Sequence, residues 1–145
     1  MSSIILKYSS VLDSENIMYD DVRSFLVKQN IHRRLINNIM LSISEAFTNA
    51  LLHGNQSDPN KSIQILITTN NKVITADITD EGTGEVGKLD DSKVADPWQE
   101  GGRGMMLIKR MTSDIKFRKS SETGGICVSM KFDANKYNKV EQRVL

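Results

Sequence analysis

The sequence is short of the residues that staple or break a chain. Its single cysteine, Cys127, has no partner for an internal disulfide, and two histidines beside it are too few for a zinc site. Cysteine usage this sparse suits a reducing, cytoplasmic compartment. Only two prolines occur, Pro59 and Pro97, both in segments read as loops, so no proline-rich linker divides the 145 residues. No apolar run nears the 18 or so residues that span a bilayer. The opening MSSIILKYSS is too weakly charged and too briefly apolar for a signal peptide. An excess of charge is also missing: 19 Lys and Arg against 18 Asp and Glu leave a net +1. That excludes an indiscriminate electrostatic grip on nucleic acid, while a local basic patch stays open.

What is present is an ordinary globular balance, with 39% hydrophobic and 26% charged residues. A chain of this length buries roughly two-thirds of its unfolded surface and needs no staple. No repeat or low-complexity tract interrupts it. One domain over residues 1–135 is expected, with a polar tail over 136–145.

Ile4 to Ser9 reads as a strand. Asp13 or Ser14 offers an N-cap for a helix to about Lys28, with Ile17, Val22, Phe25 and Leu26 as its apolar side. A longer helix covers about Arg33 to Leu52, its apolar residues recurring every three or four positions from Leu35 to Ala50. Gly54 suits a left-handed stop. Ser62–Thr69 and Lys72–Thr79 alternate around Asn70-Asn71 and predict a hairpin. The stretch from Glu81 to Gly102 is irregular, and its length suggests a functional loop. A helix over about Met105–Thr112 and strands over Asp114–Lys119 and Gly125–Phe132 complete the order. That order implies an α+β two-layer sandwich, largely antiparallel, with helices on one face.

Polar residues recur against this pattern in three places. Glu45, Asn49 and His53 stand four apart on the long helix, each about 40° further round, and form a polar ridge beside the apolar stripe. A carboxylate and an amide carbonyl one turn apart suit Mg²⁺, which takes a few oxygens plus phosphate and water. The same spacing also suits a solvated helix face with a C-cap. Asp80 falls in phase with the apolar Ile74, Ala76 and Ile78, where an ionised carboxylate is costly unless a donor meets it. Gly82 and Gly84 follow it and would let a planar ligand such as adenine approach the backbone; a solvated Asp-Glu-Gly turn is the plainer alternative. Gly102, Arg103, Gly104 and Met105 open a helix whose free N–H groups suit phosphates, although such glycines also make hinges. The run from Gly82 to Leu89 nearly spells a phosphate loop. It lacks the metal-binding hydroxyl, a good following helix and a second acidic strand, so it is set aside.

In this order the three motifs resemble the ATP-binding (Bergerat) fold of the GHKL superfamily, to which gyrase and the histidine kinases belong. The run E-A-F-T-N-A-L-L-H-G-N over 45–55 is similar to the anti-sigma factor serine/threonine kinases. The resemblance extends over about residues 4 to 133, with Gly102–Met111 matching the helix after the ATP lid. It implies that Asn49 binds Mg²⁺, that Glu45 activates or orients the attacking hydroxyl, and that Asp80 reads adenine. Gly82 and Gly84 would shape that pocket, Gly102 and Gly104 would hold phosphates, and the stretch up to Gly101 would be the lid. One departure stands out. The closing strand of the family begins Gly-Thr, whereas Ile126 follows Gly125 here, which removes a hydroxyl from the nucleotide site.

The expected function is an ATP- and Mg²⁺-dependent serine/threonine kinase that phosphorylates a small antagonist protein and, in its other state, sequesters a sigma factor or similar regulator. The resemblance implies a homodimer; from the charge balance and the lack of an apolar span, neither direct nucleic-acid nor membrane contact is expected. With the first strand at Ile4, no dimerising helix pair of a histidine kinase is expected before it. Two alternatives stand beside this reading: a non-catalytic, ATP-gated binding module, and a stand-alone histidine-kinase-like catalytic domain.

Overall fold

The structure, a computed structural model, describes residues 1–84 and 103–135. Ser62–Asn70 (β2) and Val73–Thr79 (β3) form the expected hairpin, pairing Ile65 with Ile78 and Ile67 with Ala76. The turn sits one residue later than the sequence suggests. Asn70 pairs with Val73, and the loop residues Asn71 and Lys72 take φ of 49° and 67°. Two left-handed residues match the right-handed twist of the flanking strands.

Ser2–Ser9 (β1) lies against β2, and Ile126–Asp133 (β5) against β3. Asp114–Lys119 (β4) is the far edge, giving a five-stranded antiparallel sheet in the order β1-β2-β3-β5-β4. Helices Ser14–Val27 (α1), Arg33–Asn49 (α2) and Arg103–Met111 (α3) form the second layer. α2 lies between the other two and contacts both. The core fills the space between the layers, with Ile63, Ile65, Ile74 and Phe132 from the sheet meeting Met18, Ile39, Ile43 and Phe47 from the helices.

Several local expectations change. Ile17 is 57% exposed and Met18 is buried instead, because Met18 shares a face with Val22 and Leu26. Asp13 occupies the N-cap position of α1 without a side-chain cap bond. The chain enters through a tight turn in which the Ser14 and Glu15 N–H groups donate to the carbonyls of Val11 and Leu12. His32 caps α2, its Nδ1 accepting from the Arg34 N–H at 3.2 Å. The segment 85–102, which includes Gly102 and most of the expected lid, and the tail 136–145 lie outside the described residues.

Candidate nucleotide site

α2 passes without a break into a π-helical turn, Ala50–Gly54. The Asn55 N–H donates to the Ala50 carbonyl at 2.8 Å and the Ser57 N–H to the Leu51 carbonyl at 2.8 Å. Such widened turns in an α-helix often occur at functional sites. Gly54 does not adopt the left-handed stop. Positive φ falls on Gln56 and Ser57 instead, at 52° and 56°. Gly54 is needed for proximity, since a Cβ there would clash with Asp80 Oδ2 and lie 2.6 Å from its Cγ.

Asp80 is the centre of the arrangement. It continues the inward phase of β3 and is 3% exposed. Its Oδ1 accepts from the N–H groups of Gly82 and Ile126, both at 2.9 Å. Backbone donors therefore meet the buried charge, which answers the cost that an isolated carboxylate would carry. Gly82 and Gly125 close the wrap: a Cβ on Gly82 would clash with the Gly54 carbonyl, and one on Gly125 with the Asp80 carbonyl and Oδ1. Gly84 packs against Ile126, whose Cδ1 would lie 2.9 Å from an added Cβ.

Asn49 is buried at 6% exposure, and its Nδ2 has no hydrogen-bond partner among the described residues. A buried amide left unpaired costs about 1–3 kcal/mol. A half-turn of the same amide presents its carbonyl oxygen, the atom that a hard cation takes. Glu45, one turn earlier, is half-buried. A Cβ on Gly104 would come 2.7 Å from its Oε2, so the carboxylate lies against the first turn of α3. Free N–H groups and the positive helix end favour an anion there.

The other expected residues sit differently. His53 is exposed on the π-helical turn. Met105 is 6% exposed and belongs to the core, so its side chain is a packing residue. Arg103 opens α3 two residues ahead of the expected start. The buried Cys127 pairs with Thr79 in the sheet register. Burial pushes its thiol up, against the partial opposition of a hydrogen bond from Thr79, which makes it a poor nucleophile.

Two residues without an assigned role hold the site together. Asn55 is 1% exposed, and its Nδ2 donates to Ser10 Oγ at 2.7 Å and the Ser62 carbonyl at 3.0 Å. Its Oδ1 accepts from the Glu81 N–H at 2.8 Å. Thr123, in the β4–β5 turn, donates its hydroxyl to the Asp80 carbonyl at 2.7 Å. Asn55 stood within the helix-end motif, but nothing in the sequence tied Thr123 to Asp80. A hollow of about 680 Å³ opens at the other end of the sheet, between Gln29–His32 and Thr69–Ile74, and contains none of Glu45, Asn49 or Asp80.

Comparison with known proteins agrees with this fold. The histidine kinase-like ATPase domain family matches residues 12–132. An anti-sigma F factor of Shouchella clausii (strain KSM-K16) is 26% identical over 116 residues, which cover 77% of this chain and 79% of that one. The anti-sigma F factor of Bacillus subtilis (strain 168) is 24% identical over 124 residues, covering 82% and 84%. A crystal structure of the RsbU and RsbW domains of a Mycobacterium tuberculosis protein superposes with a TM-score of 0.67 at 14% identity, over 92% of this chain and 32% of that one. That likeness speaks for the fold. A family match spanning most of the chain, on a sheet and site of this form, places the protein in the histidine kinase-like ATPase domain family, of the GHKL type.

Proposed function

We propose that the protein is an anti-sigma-type switch kinase: it binds Mg-ATP and transfers the γ-phosphoryl group to a serine or threonine of a small antagonist protein. In its other state it holds a sigma factor or similar regulator. Residues 1–135 form the ATP-binding unit in this reading, residues 136–145 are no part of it, and two copies pair.

One observation carries the nucleotide assignment. Asp80 is a buried carboxylate whose Oδ1 is engaged by two backbone N–H groups, inside a shell formed by Gly54, Gly82 and Gly125. Those bonds leave Oδ2 to accept from the exocyclic amine of adenine. The buried, unpartnered amide of Asn49 fits a cation that an ATP phosphate accompanies. No cluster of three His, Cys, Asp or Glu side chains suited to a metal occurs among the described residues, so such a cation would rely on Asn49, phosphate and water.

Phosphoryl transfer asks a protein mainly for positioning and charge neutralisation. Mg²⁺, when bound, neutralises phosphate charge. Glu45 stands one helical turn from Asn49, where it would orient the incoming hydroxyl and take its proton. The anti-sigma F factor relatives support the switch role.

Labelled ATP, the protein and a candidate antagonist supply the test. Transfer of label to serine or threonine, slowed at least about a hundredfold by Glu45→Ala, is the expected result. Nucleotide binding without transfer would favour the gated binding module. An acid-labile phosphohistidine would favour the histidine-kinase-like reading.

A further inference from the structure

We propose that Thr123 is a positioning residue that sets the base selectivity of the nucleotide site by locking the peptide plane behind Asp80. This inference rests on the assignment of Asp80 as the residue that reads adenine.

The Asp80–Glu81 peptide group is held at both ends. Its carbonyl accepts from the Thr123 hydroxyl at 2.7 Å, and its N–H donates to Asn55 Oδ1 at 2.8 Å. The first anchor comes from the β4–β5 turn, the second from the end of the α2 segment. Together they pin the peptide plane, and with it the Asp80 Cα from which the carboxylate reaches its two N–H donors.

The turn is built to deliver that hydroxyl. Ser120 N–H donates to the Gly125 carbonyl at 2.7 Å, and Gly124 N–H to the Ser120 carbonyl at 2.9 Å. Gly124 has φ +76°, a conformation open to glycine. The Thr123 N–H is tied to Ser120 Oγ at 3.2 Å, and the Thr123 oxygen accepts from Gly125 N–H at 3.0 Å. A hydroxyl has one proton, and here the Gly125 donor occupies the acceptor side so that the proton goes to Asp80. The β-branched side chain adds stiffness about χ1.

The chemistry explains why this matters for the base. Adenine offers an amine hydrogen to a fixed carboxylate oxygen, whereas guanine presents a carbonyl oxygen at the same ring position and is repelled. Discrimination depends on the carboxylate staying where it is. Loosening its backbone weakens adenine binding and relaxes the penalty against guanine.

Thr123 is exposed, so replacing it opens no core cavity. The full chain is titrated calorimetrically with ADP and with GDP, as wild type, Thr123→Val, Thr123→Ser and Asp80→Asn. Thr123→Val keeps the shape and removes the hydroxyl. It is expected to lower the GDP-to-ADP Kd ratio roughly three- to tenfold, the worth of one net hydrogen bond, and Thr123→Ser is expected to restore most of it. An unchanged ratio in Thr123→Val, including an equal loss for both nucleotides, overturns the proposal while leaving Asp80 in its role. An unchanged ratio in Asp80→Asn removes the adenine assignment itself, and the proposal falls with it.

Discussion

Asp80 and Ile126 bond to each other in both directions: the Asp80 N–H donates to the Ile126 carbonyl at 3.0 Å, and the Ile126 N–H returns to Asp80 Oδ1 at 2.9 Å. The contribution of residue 126 to Asp80 is therefore made by its backbone and survives the loss of the family threonine. Its side chain, 4% exposed, is spent on packing against Gly84 and the core. Replacing it with Ile126→Thr should raise ADP affinity and cost about 1–3 kcal/mol of stability, because a hydroxyl enters an apolar contact. Calorimetric titration and urea unfolding read the two effects separately; weaker ADP binding by the variant would contradict the expectation.

Gly54 lies so close to Asp80 that no side chain fits between them. Gly54→Ala should therefore displace the carboxylate, weaken nucleotide binding more than tenfold, and destabilise the fold by about 1–3 kcal/mol. A torsional role would predict that Asn, which tolerates left-handed φ, rescues the site. The steric role predicts that Gly54→Asn binds worse than Gly54→Ala, which an ADP titration decides.

Asn55 spends both ends of its amide on three elements: the exit of β1, the start of β2 and the residue after Asp80. Asn55→Ala is expected to cost about 3 kcal/mol, since each of the three bonds is worth roughly 1 kcal/mol net. Asn55→Asp keeps the shape but turns an oxygen toward the Ser62 carbonyl. It should be no better than alanine in urea unfolding at neutral pH.

Tyr8 donates its hydroxyl to Asp21 Oδ2 at 2.7 Å and meets the ring of Phe47 edge-on, with centroids 5.9 Å apart. Burial first, then the hydrogen bond and charge of Asp21, push its phenol above the usual value. A pKa raised on folding means that the protonated phenol stabilises the native state. That contribution is complete below the free-phenol pKa of about 10 and is lost as pH climbs from there through the folded value. Tyr8→Phe should accordingly lose less stability than wild type between about pH 9 and 11. Parallel alkaline limbs in the two denaturation profiles would contradict this.

How much of the site was legible depended on how local its cause was. Asp80 showed itself because strand alternation is a property of neighbouring residues, and a charge in phase with Ile74, Ala76 and Ile78 breaks the pattern visibly. The α2 stripe was legible for the same reason. Gly54 was marked but for another cause: its neighbours suggested a helix stop, whereas what excludes a side chain there is Asp80, brought against it from the end of β3. Thr123 gave no signal, since its partner is fixed by strand register and not by spacing. The expectation for Ile17 departed from the spacing itself: one helical step of about 100° takes Ile17 off the face that Met18 shares with Val22 and Leu26.

The strand order carries a temporal consequence. β5 is the last strand among the described residues, yet it lies inside the sheet between β3 and β4. Until it inserts, Asp80 lacks the Ile126 N–H and the Thr123 hydroxyl, and β3 presents an open edge. During synthesis the α2 ridge and the β2–β3 hairpin emerge well before the residues that fix the carboxylate. The shell around Asp80 is thus completed only when β5 joins the sheet, and on the proposed reading of Asp80 a nascent chain gains its adenine contact only after that strand has left the ribosome.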